Sequence, residues 1–258
     1  MARYQLTLAY DGTDFFGSQR QASKRTIQGE LEKALCKLGW TGRSVLMSGR
    51  TDTGVHAAAQ VAALDLDWSH SDEELVRALN ATLAGDLAVQ QARAVRATFH
   101  PRFDASSRCY RYKLFCQPLR NPIRERYAWR VWPSIDGESL QETAALFLGT
   151  HDFSAFGSPT TPRGGTVRTV MKAEWSPSRE TPDDTWDFEV QADAFLYRMV
   201  RRLVFAQVAV SQGKVSATAI ADSLADPACT AKLPAGLAPA HGLTLIEVTY
   251  PEQESMDQ

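Results

Sequence analysis

Segments with the two-residue periodicity of a strand alternate with helical segments in this chain, and this mixture restricts the fold more than any other feature. Residues 4–10 place apolar or aromatic side chains at every second position, which predicts a strand with one buried face. Apolar residues then recur on one helical face between Ile27 and Leu38, with Thr26 as the predicted N-cap and Gly39 as the predicted end of the helix. The elements follow no strict βαβ order, so we predict an α+β fold with mainly antiparallel sheet.

The same patterns predict further elements along the chain. We expect strands at residues 45–47, 61–66, 110–114, 186–190 and 243–250, and helices after the capping box of Ser71 and Glu74, over Ser139–Leu148 and over Phe195–Val210. The segment His100-Pro101-Arg102 interrupts the local pattern. We therefore expect an N-terminal domain at 1–104, a C-terminal domain at 105–250 and a short acidic tail at 251–258.

Several classes of protein receive no support from the sequence. No apolar run approaches the roughly 20 residues that a membrane-spanning helix needs, and the N-terminus lacks the apolar stretch of a signal peptide. The four cysteines, Cys36, Cys109, Cys116 and Cys229, include no Cys-x-x-Cys pair and fit no common zinc spacing. A Walker loop and a His-Glu-x-x-His motif are also missing. We expect a reduced cytoplasmic protein, and neither ATP chemistry nor zinc peptidase chemistry receives support.

The distribution of charge matters more than its sum. The net charge of −2, from 28 Lys and Arg against 30 Asp and Glu, argues mildly against binding to nucleic acid. Residues 93–130, however, carry a net charge of +8, whereas the rest of the chain carries −10. Basic and aromatic residues alternate over Arg108–Lys113, which favours RNA, because guanidinium groups hold phosphates and rings stack on unpaired bases. The alternative is that these side chains form ordinary solvated faces, paired with acids.

The densest polar cluster of the chain is Gly49–His56. An aspartate between two threonines, ahead of Gly54, is typical of an Asx turn, and this is one interpretation. The other is a reactive carboxylate, because Arg50 and Asp52 lie two residues apart and an extended backbone places both on one face. A neighbouring cation favours the ionised carboxylate, and an anionic aspartate in a pocket is suited to act as a nucleophile or base.

The segment Gly49–Ala57 resembles the catalytic motif of the tRNA pseudouridine synthase A (TruA) family, in which the aspartate is the nucleophile. Other segments resemble further motifs of that family, in family order: Tyr10–Gly12 with Phe16–Arg20, Phe99–Phe103 with Arg108–Tyr112, Gly149–Phe156, Phe195–Arg201, and Gly242–Leu243. The resemblance therefore extends from about residue 4 to residue 250.

This resemblance implies a pseudouridine synthase fold, in which two RNA-recognition-like (ferredoxin-like) α+β domains share a largely antiparallel sheet with a central cleft. It implies isomerisation of uridine to pseudouridine at nucleotides 38, 39 and 40 of the tRNA anticodon stem-loop. The expected enzyme is a homodimer that needs no metal and no organic cofactor.

The resemblance also implies residue roles. Asp52 is expected to be the essential carboxylate, with Arg201 as its ionic partner. Arg50 is expected to help displace the target base, and Tyr110 to stack on the flipped uracil and move the C5 proton. The alternatives are a helix-surface position for Arg201, sheet core for Tyr110, and loop ordering rather than RNA contact for His56. The expected RNA-binding residues are Arg20, His56, Arg102, Tyr110, Arg108 and Arg111.

The sequence departs from the family pattern in several places: Ser18 replaces a common Trp, Thr53 an Ala, Ala84 a Pro, and Tyr197-Arg198 a pair that is often histidine. None of these changes removes an acid or a cation of the expected site. Two competing hypotheses stay open, a catalytically silent RNA-binding protein of the same fold and a nucleoside glycosidase. The second normally needs two paired carboxylates, and no second acid stands out near Asp52.

Overall fold

The computed structural model describes residues 1–161, 164–178, 184–226 and 233–251. In chain order its elements are β1 (Ala2–Tyr10), α1 (Ile27–Lys37), β2 (Leu46–Met47), β3 (His56–Leu66), α2 (Asp72–Asn80), β4 (Leu87–Val95), β5 (Ser107–Cys116), β6 (Trp129–Val131), α3 (Gly137–Ala145), β7 (Gly149–Asp152), β8 (Val167–Pro177), β9 (Thr185–Ala192), α4 (Met199–Ser211), α5 (Ala217–Ala225) and β10 (Leu243–Thr249). The α+β prediction is confirmed.

The chain divides into two units, which we describe separately. Unit 1 comprises residues 1–107 together with the C-terminal strand from Leu245, and unit 2 comprises residues 108–244. The return of the C-terminal strand to unit 1 is a long-range pairing. No local sequence pattern indicates it.

Unit 1 is built on the strand order β4-β1-β3-β10, with β2 added to β3. Strand β1 is antiparallel to both β3 and β4, and Leu6 and Leu8 on it are fully buried. Helix α1 buries Ile27 and Leu31 completely, on the face that the apolar spacing predicts. Its N-cap is Thr26, whose side chain accepts a hydrogen bond from the Gly29 N–H. Burial of each such leucine or isoleucine contributes about 1.5–3 kcal/mol.

Strand β3 is longer than the strand predicted at residues 61–66, because it begins at His56. The additional residues, mostly alanine, lack the alternation that marks a strand. The pairing of β1 with β3 shifts register between Leu8 and Tyr10, where β3 starts. Such irregularities bend a strand locally and re-aim the side chains beside it. The irregularity lies next to the loop that carries Asp52.

Unit 2 has the strand order β7-β8-β9-β5, with antiparallel pairs and with β6 added in parallel to β5. Helix α3 packs against β8 and α4, and α4 also packs against α5. The apolar face of β5 predicted at residues 110–114 is present, with Tyr112 and Leu114 fully buried.

Two predicted helices have different bounds in the structure. The helix predicted from Phe195 begins only at Met199, because Tyr197 pairs with Ser158 and Arg198 has a left-handed backbone with φ of 64°. The helix predicted at Ser139–Leu148 corresponds to α3 at Gly137–Ala145. It begins two residues earlier than predicted, because the Asp136 side chain caps its N-terminus.

Some expectations concern residues that the structure does not describe. Residues 252–258 of the expected acidic tail and Cys229 lie outside the described ranges. Of the helices within those ranges, none combines the length and the apolar character that crossing a bilayer requires. The same ranges contain no group of three or more His, Cys, Asp or Glu side chains that is arranged to hold a metal ion.

Candidate active site

Asp52 lies in the loop between β2 and β3, which we call the Asp52 loop (residues 48–55). The loop turns immediately after the carboxylate, where the Val55 N–H donates to the Asp52 carbonyl at 3.1 Å and Gly54 adopts a φ of +79°. The Asp52 side chain is partly exposed and Arg50 is exposed, whereas Thr51 between them is only 7% exposed. The loop therefore presents its two charged side chains while its backbone is held inside unit 1.

Thr51 is held by three hydrogen bonds. Its hydroxyl shares one with the Tyr10 hydroxyl at 2.9 Å. Its N–H donates to the Ser18 hydroxyl at 2.8 Å, and its carbonyl accepts from the Ser18 N–H at 3.1 Å. Ser18 is 1% exposed. The residue just before Asp52 is thus fixed through its side chain and through both of its backbone polar groups.

Gly17 allows this close approach. Its φ is +83°, a backbone conformation that residues with a Cβ rarely adopt. A Cβ at Gly17 would lie 2.8 Å from the Thr51 carbonyl oxygen, which is closer than van der Waals contact permits. Glycine is therefore required both by the local conformation and by the distance to the Asp52 loop.

A second buried group holds the start of the Asp52 loop. The Ser48 hydroxyl donates to Oε1 of Gln60 at 2.6 Å, and Nε2 of Gln60 donates to the Gly49 carbonyl at 3.2 Å. Gln60 is fully buried on β3. Burial raises the pKa of Tyr10 to about 12, against the opposite effect of its hydrogen bonds with Thr51 and Gln60. Tyr10 is therefore protonated at neutral pH and available as a donor.

His56 is 4% exposed at the first position of β3. Its Nδ1 accepts a hydrogen bond from the Gly12 N–H at 3.0 Å, and Oδ1 of Asp11 lies 3.2 Å from the same nitrogen. The ring is therefore held between the Gly12 backbone and the Asp11 carboxylate. The Gly12 backbone also lies against the Val55 carbonyl, with no room for a Cβ. These contacts favour loop ordering as the role of His56.

Arg20 follows the Gly17-Ser18 segment and is half-exposed. Its Nη1 lies 2.8 Å from Oε2 of Glu32, a carboxylate that is almost fully buried, and 3.3 Å from the Arg43 carbonyl. The other oxygen of Glu32 accepts from the Val45 N–H at 3.0 Å. Arg20 therefore has a structural partner in addition to its expected contact with RNA.

Unit 2 holds the two remaining residues of the expected catalytic set. Tyr110 lies on β5 opposite Val190, is 9% exposed, and meets the ring of Phe195 edge to face at 5.1 Å between centroids. Arg201 lies in the first turn of α4. Its Nε donates to the Ala238 carbonyl at 2.7 Å, and the Ala238 N–H donates to the Arg201 carbonyl at 3.2 Å. Both side chains are therefore held in place within unit 2.

Two of the basic residues expected to bind RNA also contact protein groups. Nη1 of Arg108 donates to the Asp193 carbonyl at 2.9 Å. Arg111 donates to Oε1 of Glu189 through Nε at 3.0 Å and Nη2 at 2.6 Å, and Lys172 lies 2.6 Å from the other oxygen. Burial raises the pKa of Glu189, but the hydrogen bonds from Lys172 and Arg111 outweigh this and the pKa is lowered. Arg111 is therefore paired with an acidic side chain, as in the alternative that the basic side chains form ordinary solvated faces paired with acids.

Arg102 is an exposed residue that directly follows the buried Pro101. Its backbone N–H donates to Nδ1 of His100 at 3.2 Å, and the side chain of Asp104 accepts from the His100 N–H at 3.1 Å. The loop is therefore ordered by its own short-range hydrogen bonds.

The sequence patterns do not indicate the parts played by Tyr10, Thr51 and Gln60. Each is a polar group that the fold buries against the Asp52 loop. Two signals were available, the hydroxyl of Tyr10 on a strand face that is apolar apart from its two tyrosines, and the unusual serine at position 18. Neither signal identifies a hydrogen-bond partner without the structure.

Comparison with known proteins places the chain in a family. A model of the tRNA pseudouridine synthase family matches residues 7–104 and 143–251. A protein from Solidesulfovibrio magneticus called tRNA pseudouridine synthase A is 44% identical over 97% of this chain and 92% of its own length. One of the same name from Shouchella clausii is 39% identical, over 97% of this chain and 94% of its own.

Among solved structures, a chain of a Cbf5–Nop10–Gar1 complex matches with a TM-score of 0.30 and 12% identity, covering 78% of this chain and 44% of the other. That likeness is too low to bear on the fold. The family match and the two relatives confirm the resemblance that the sequence motifs indicate. The chain belongs to the tRNA pseudouridine synthase family.

Proposed function

We propose that this protein isomerises uridine to pseudouridine at nucleotides 38, 39 and 40 of the tRNA anticodon stem-loop. The observation that carries the proposal is Asp52, a partly exposed carboxylate on a loop whose backbone is anchored at Thr51, in a chain of this family. The reaction breaks the bond between C1′ and N1, turns the uracil, and forms a bond between C1′ and C5. The proton on C5 is lost and N1 gains one, so no redox partner is needed.

Asp52 is the proposed essential carboxylate. Three reactions fit an aspartate in this position: attack on C1′, addition to C6 of the uracil, and removal of a ribose proton to give a glycal. All three need an ionised oxygen at a defined distance from the substrate, since reacting atoms must approach to about 3–3.5 Å. The anchoring of Thr51 supports that requirement.

Arg50 is proposed to help displace the target base and to occupy the space that the base leaves. A base within a helical stack must be flipped out to reach an enzyme pocket. The exposed position of Arg50, two residues from Asp52, supports this role.

Tyr110 is proposed to stack on the flipped uracil and to carry the proton that leaves C5. Its edge-to-face contact with Phe195 supports the role, because it fixes the plane of the ring. Arg201 is proposed as the cation that keeps the essential carboxylate ionised. The hydrogen bond from its Nε to the Ala238 carbonyl supports the role, because it fixes the position of the guanidinium group.

The proposed RNA contacts, location and oligomeric state follow from the resemblance to the tRNA pseudouridine synthase A family. Arg20, His56, Arg102, Arg108 and Arg111 are the proposed RNA-contacting residues, besides Tyr110. Of these residues, His56 is buried and Arg111 is also paired with Glu189. The enzyme is proposed to act in the cytoplasm as a homodimer, without a metal or an organic cofactor.

Release of tritium from C5 of labelled uridine in tRNA tests the proposal. We expect release from tRNA that is labelled at nucleotides 38, 39 or 40, and none from tRNA labelled elsewhere. Binding of tRNA without release from any position would favour the silent RNA-binding alternative. Formation of free uracil would favour a glycosidase, and labelled nucleotides outside the anticodon stem-loop would contradict the proposed positions.

A further inference from the structure

Unit 1 contains a buried hydrogen-bonded group that has no role in the chemistry described above. We call Tyr10, Ser18 and Thr51 the Thr51 clamp, after the residue on which their hydrogen bonds converge. The three residues are 5%, 1% and 7% exposed, so none of them contacts solvent extensively. They come from three separate segments, the end of β1, the loop before α1, and the Asp52 loop.

We propose that Tyr10 and Ser18 are positioning residues for Asp52 and act through Thr51. This inference rests on the proposed function, because it requires Asp52 to be the essential carboxylate. Asp52 is bonded directly to Thr51, whose hydroxyl, N–H and carbonyl are all hydrogen-bonded within the clamp. On the other side of Asp52, the turn closed by Val55 fixes its carbonyl.

The clamp leaves the Asp52 backbone little freedom. A side chain with two rotatable bonds on an anchored backbone samples few positions, so the carboxylate reaches the substrate at a nearly constant distance. A misplacement of about 1 Å is enough to lower a reaction rate about 100-fold. The structure therefore assigns a catalytic consequence to hydrogen bonds that do not touch the substrate.

The bond between Tyr10 and Thr51 contributes specifically. Both hydroxyls are buried, and an unmatched buried hydroxyl is unfavourable, so each fixes the other. An ordinary tyrosine is already protonated at neutral pH, and burial, which raises the pKa of Tyr10 to about 12, extends that range upwards. The hydrogen bond is therefore present throughout the neutral pH range.

Ser18 supplies a contact that a larger side chain would not. Its hydroxyl accepts from the Thr51 N–H at 2.8 Å, and its own N–H donates back to the Thr51 carbonyl. The paired bonds require the two backbones to lie side by side, and Gly17 permits this. Within the clamp, Ser18 is thus the residue that binds the backbone of the Asp52 loop, through the N–H and the carbonyl of Thr51.

The test uses the full-length protein and single-turnover tritium release from labelled tRNA. Tyr10→Phe and Thr51→Val each remove one hydroxyl of the pair with little change of shape. We expect each to lower the rate constant about tenfold while the Kd for tRNA stays within about twofold. Tyr4→Phe removes a hydroxyl from the same strand, outside the clamp, and is expected to keep the wild-type rate.

The double variant Tyr10→Phe with Thr51→Val isolates the clamp. If the hydroxyls act as a pair, the double variant is about as slow as either single one. If the rate of the double variant instead falls by the product of the two single losses, the inference is overturned. A rate for Tyr10→Phe equal to that of Tyr4→Phe would also overturn it. A parallel loss of tRNA affinity would also overturn it, since a positioning role changes the rate and not the binding.

Further variants cover the case in which Tyr10→Phe does not fold. Thr51→Ser keeps the hydroxyl and is expected to retain most of the rate that Thr51→Val loses, whereas equal losses in the two would contradict the clamp. Ser18→Ala is expected to slow release as Tyr10→Phe does. Asp52→Asn separates the two proposals. Absence of tritium release by the wild-type protein overturns the proposed function itself. An active Asp52→Asn overturns the assignment of Asp52 and the clamp with it, whereas an inactive Asp52→Asn beside a fully active Tyr10→Phe overturns the clamp alone.

Discussion

Replacing Gly17 by alanine perturbs the support of the Asp52 loop without touching a charged residue. Two costs follow from the structure. The φ of +83° is unfavourable for alanine by about 1–2 kcal/mol. The new Cβ would also lie 2.8 Å from the Thr51 carbonyl oxygen, so one of the two backbones must shift. Forced shifts of this kind in a packed site cost about 1–3 kcal/mol more.

Gly39→Ala is the matched control. Gly39 has nearly the same backbone conformation, with φ of +85°, but no heavy atom lies within 4 Å of the position of its Cβ. This variant carries only the conformational cost. Thermal and denaturant unfolding of the two variants therefore separate the steric cost at Gly17 from the cost of the left-handed conformation. About 2–4 °C of Tm is expected per kcal/mol in a chain of this size.

Turnover distinguishes the two variants further. Gly17→Ala displaces Thr51 and is expected to slow single-turnover tritium release at least about tenfold, measured well below its Tm. Gly39→Ala is expected to turn over at the wild-type rate. Equal Tm values for the two variants, together with wild-type release by Gly17→Ala, would refute the close contact and its importance for Asp52.

Two further predictions concern the charges of unit 2. Arg124 holds the pKa of Asp184 at about 2, against an ordinary value of 3.8, so this pair stabilises the fold above about pH 4 and the contribution disappears as the pH falls towards 2. Arg124→Ala should cost about 1–2 kcal/mol at pH 7 after allowance for solvent screening, and urea unfolding at several pH values should show the difference from wild type shrinking below pH 4. Replacing Arg108 and Arg111 by alanine should weaken tRNA binding and flatten its dependence on salt concentration. An unchanged slope in filter-binding titrations would place the RNA-binding surface elsewhere.

The elements that the sequence predicted best are those with a local cause. The helix over Ile27–Lys37 and its Thr26 cap depend on apolar spacing and one hydroxyl, and both are visible in the sequence. The Ser71 capping box of α2 is likewise confirmed. The start of α4 was placed too early, because the left-handed Arg198 depends on the pairing of Tyr197 with Ser158, which is distant in sequence.

The candidate site likewise contains features that a local pattern predicts and features that depend on residues distant in sequence. The charged residues Arg50 and Asp52 were found from a short motif and its resemblance to a family. The hydrogen bonds that hold the Asp52 loop were not predictable, because Tyr10 and Thr51 are 41 residues apart and become partners only when β1 and the loop are brought together. Nor does the sequence show that Arg111 is paired with Glu189, since that contact depends on the register between β5 and β9.

The Asp52→Asn variant tests the central claim most directly. Its tritium release from labelled tRNA is compared with that of the wild type and of Asp67→Asn, which changes an exposed carboxylate in the same unit. We predict no detectable release by Asp52→Asn, an affinity for tRNA within about tenfold of wild type, or about 1.4 kcal/mol, and normal release by Asp67→Asn. Release by Asp52→Asn at a rate near that of the wild type would contradict the assignment of Asp52 as the essential carboxylate.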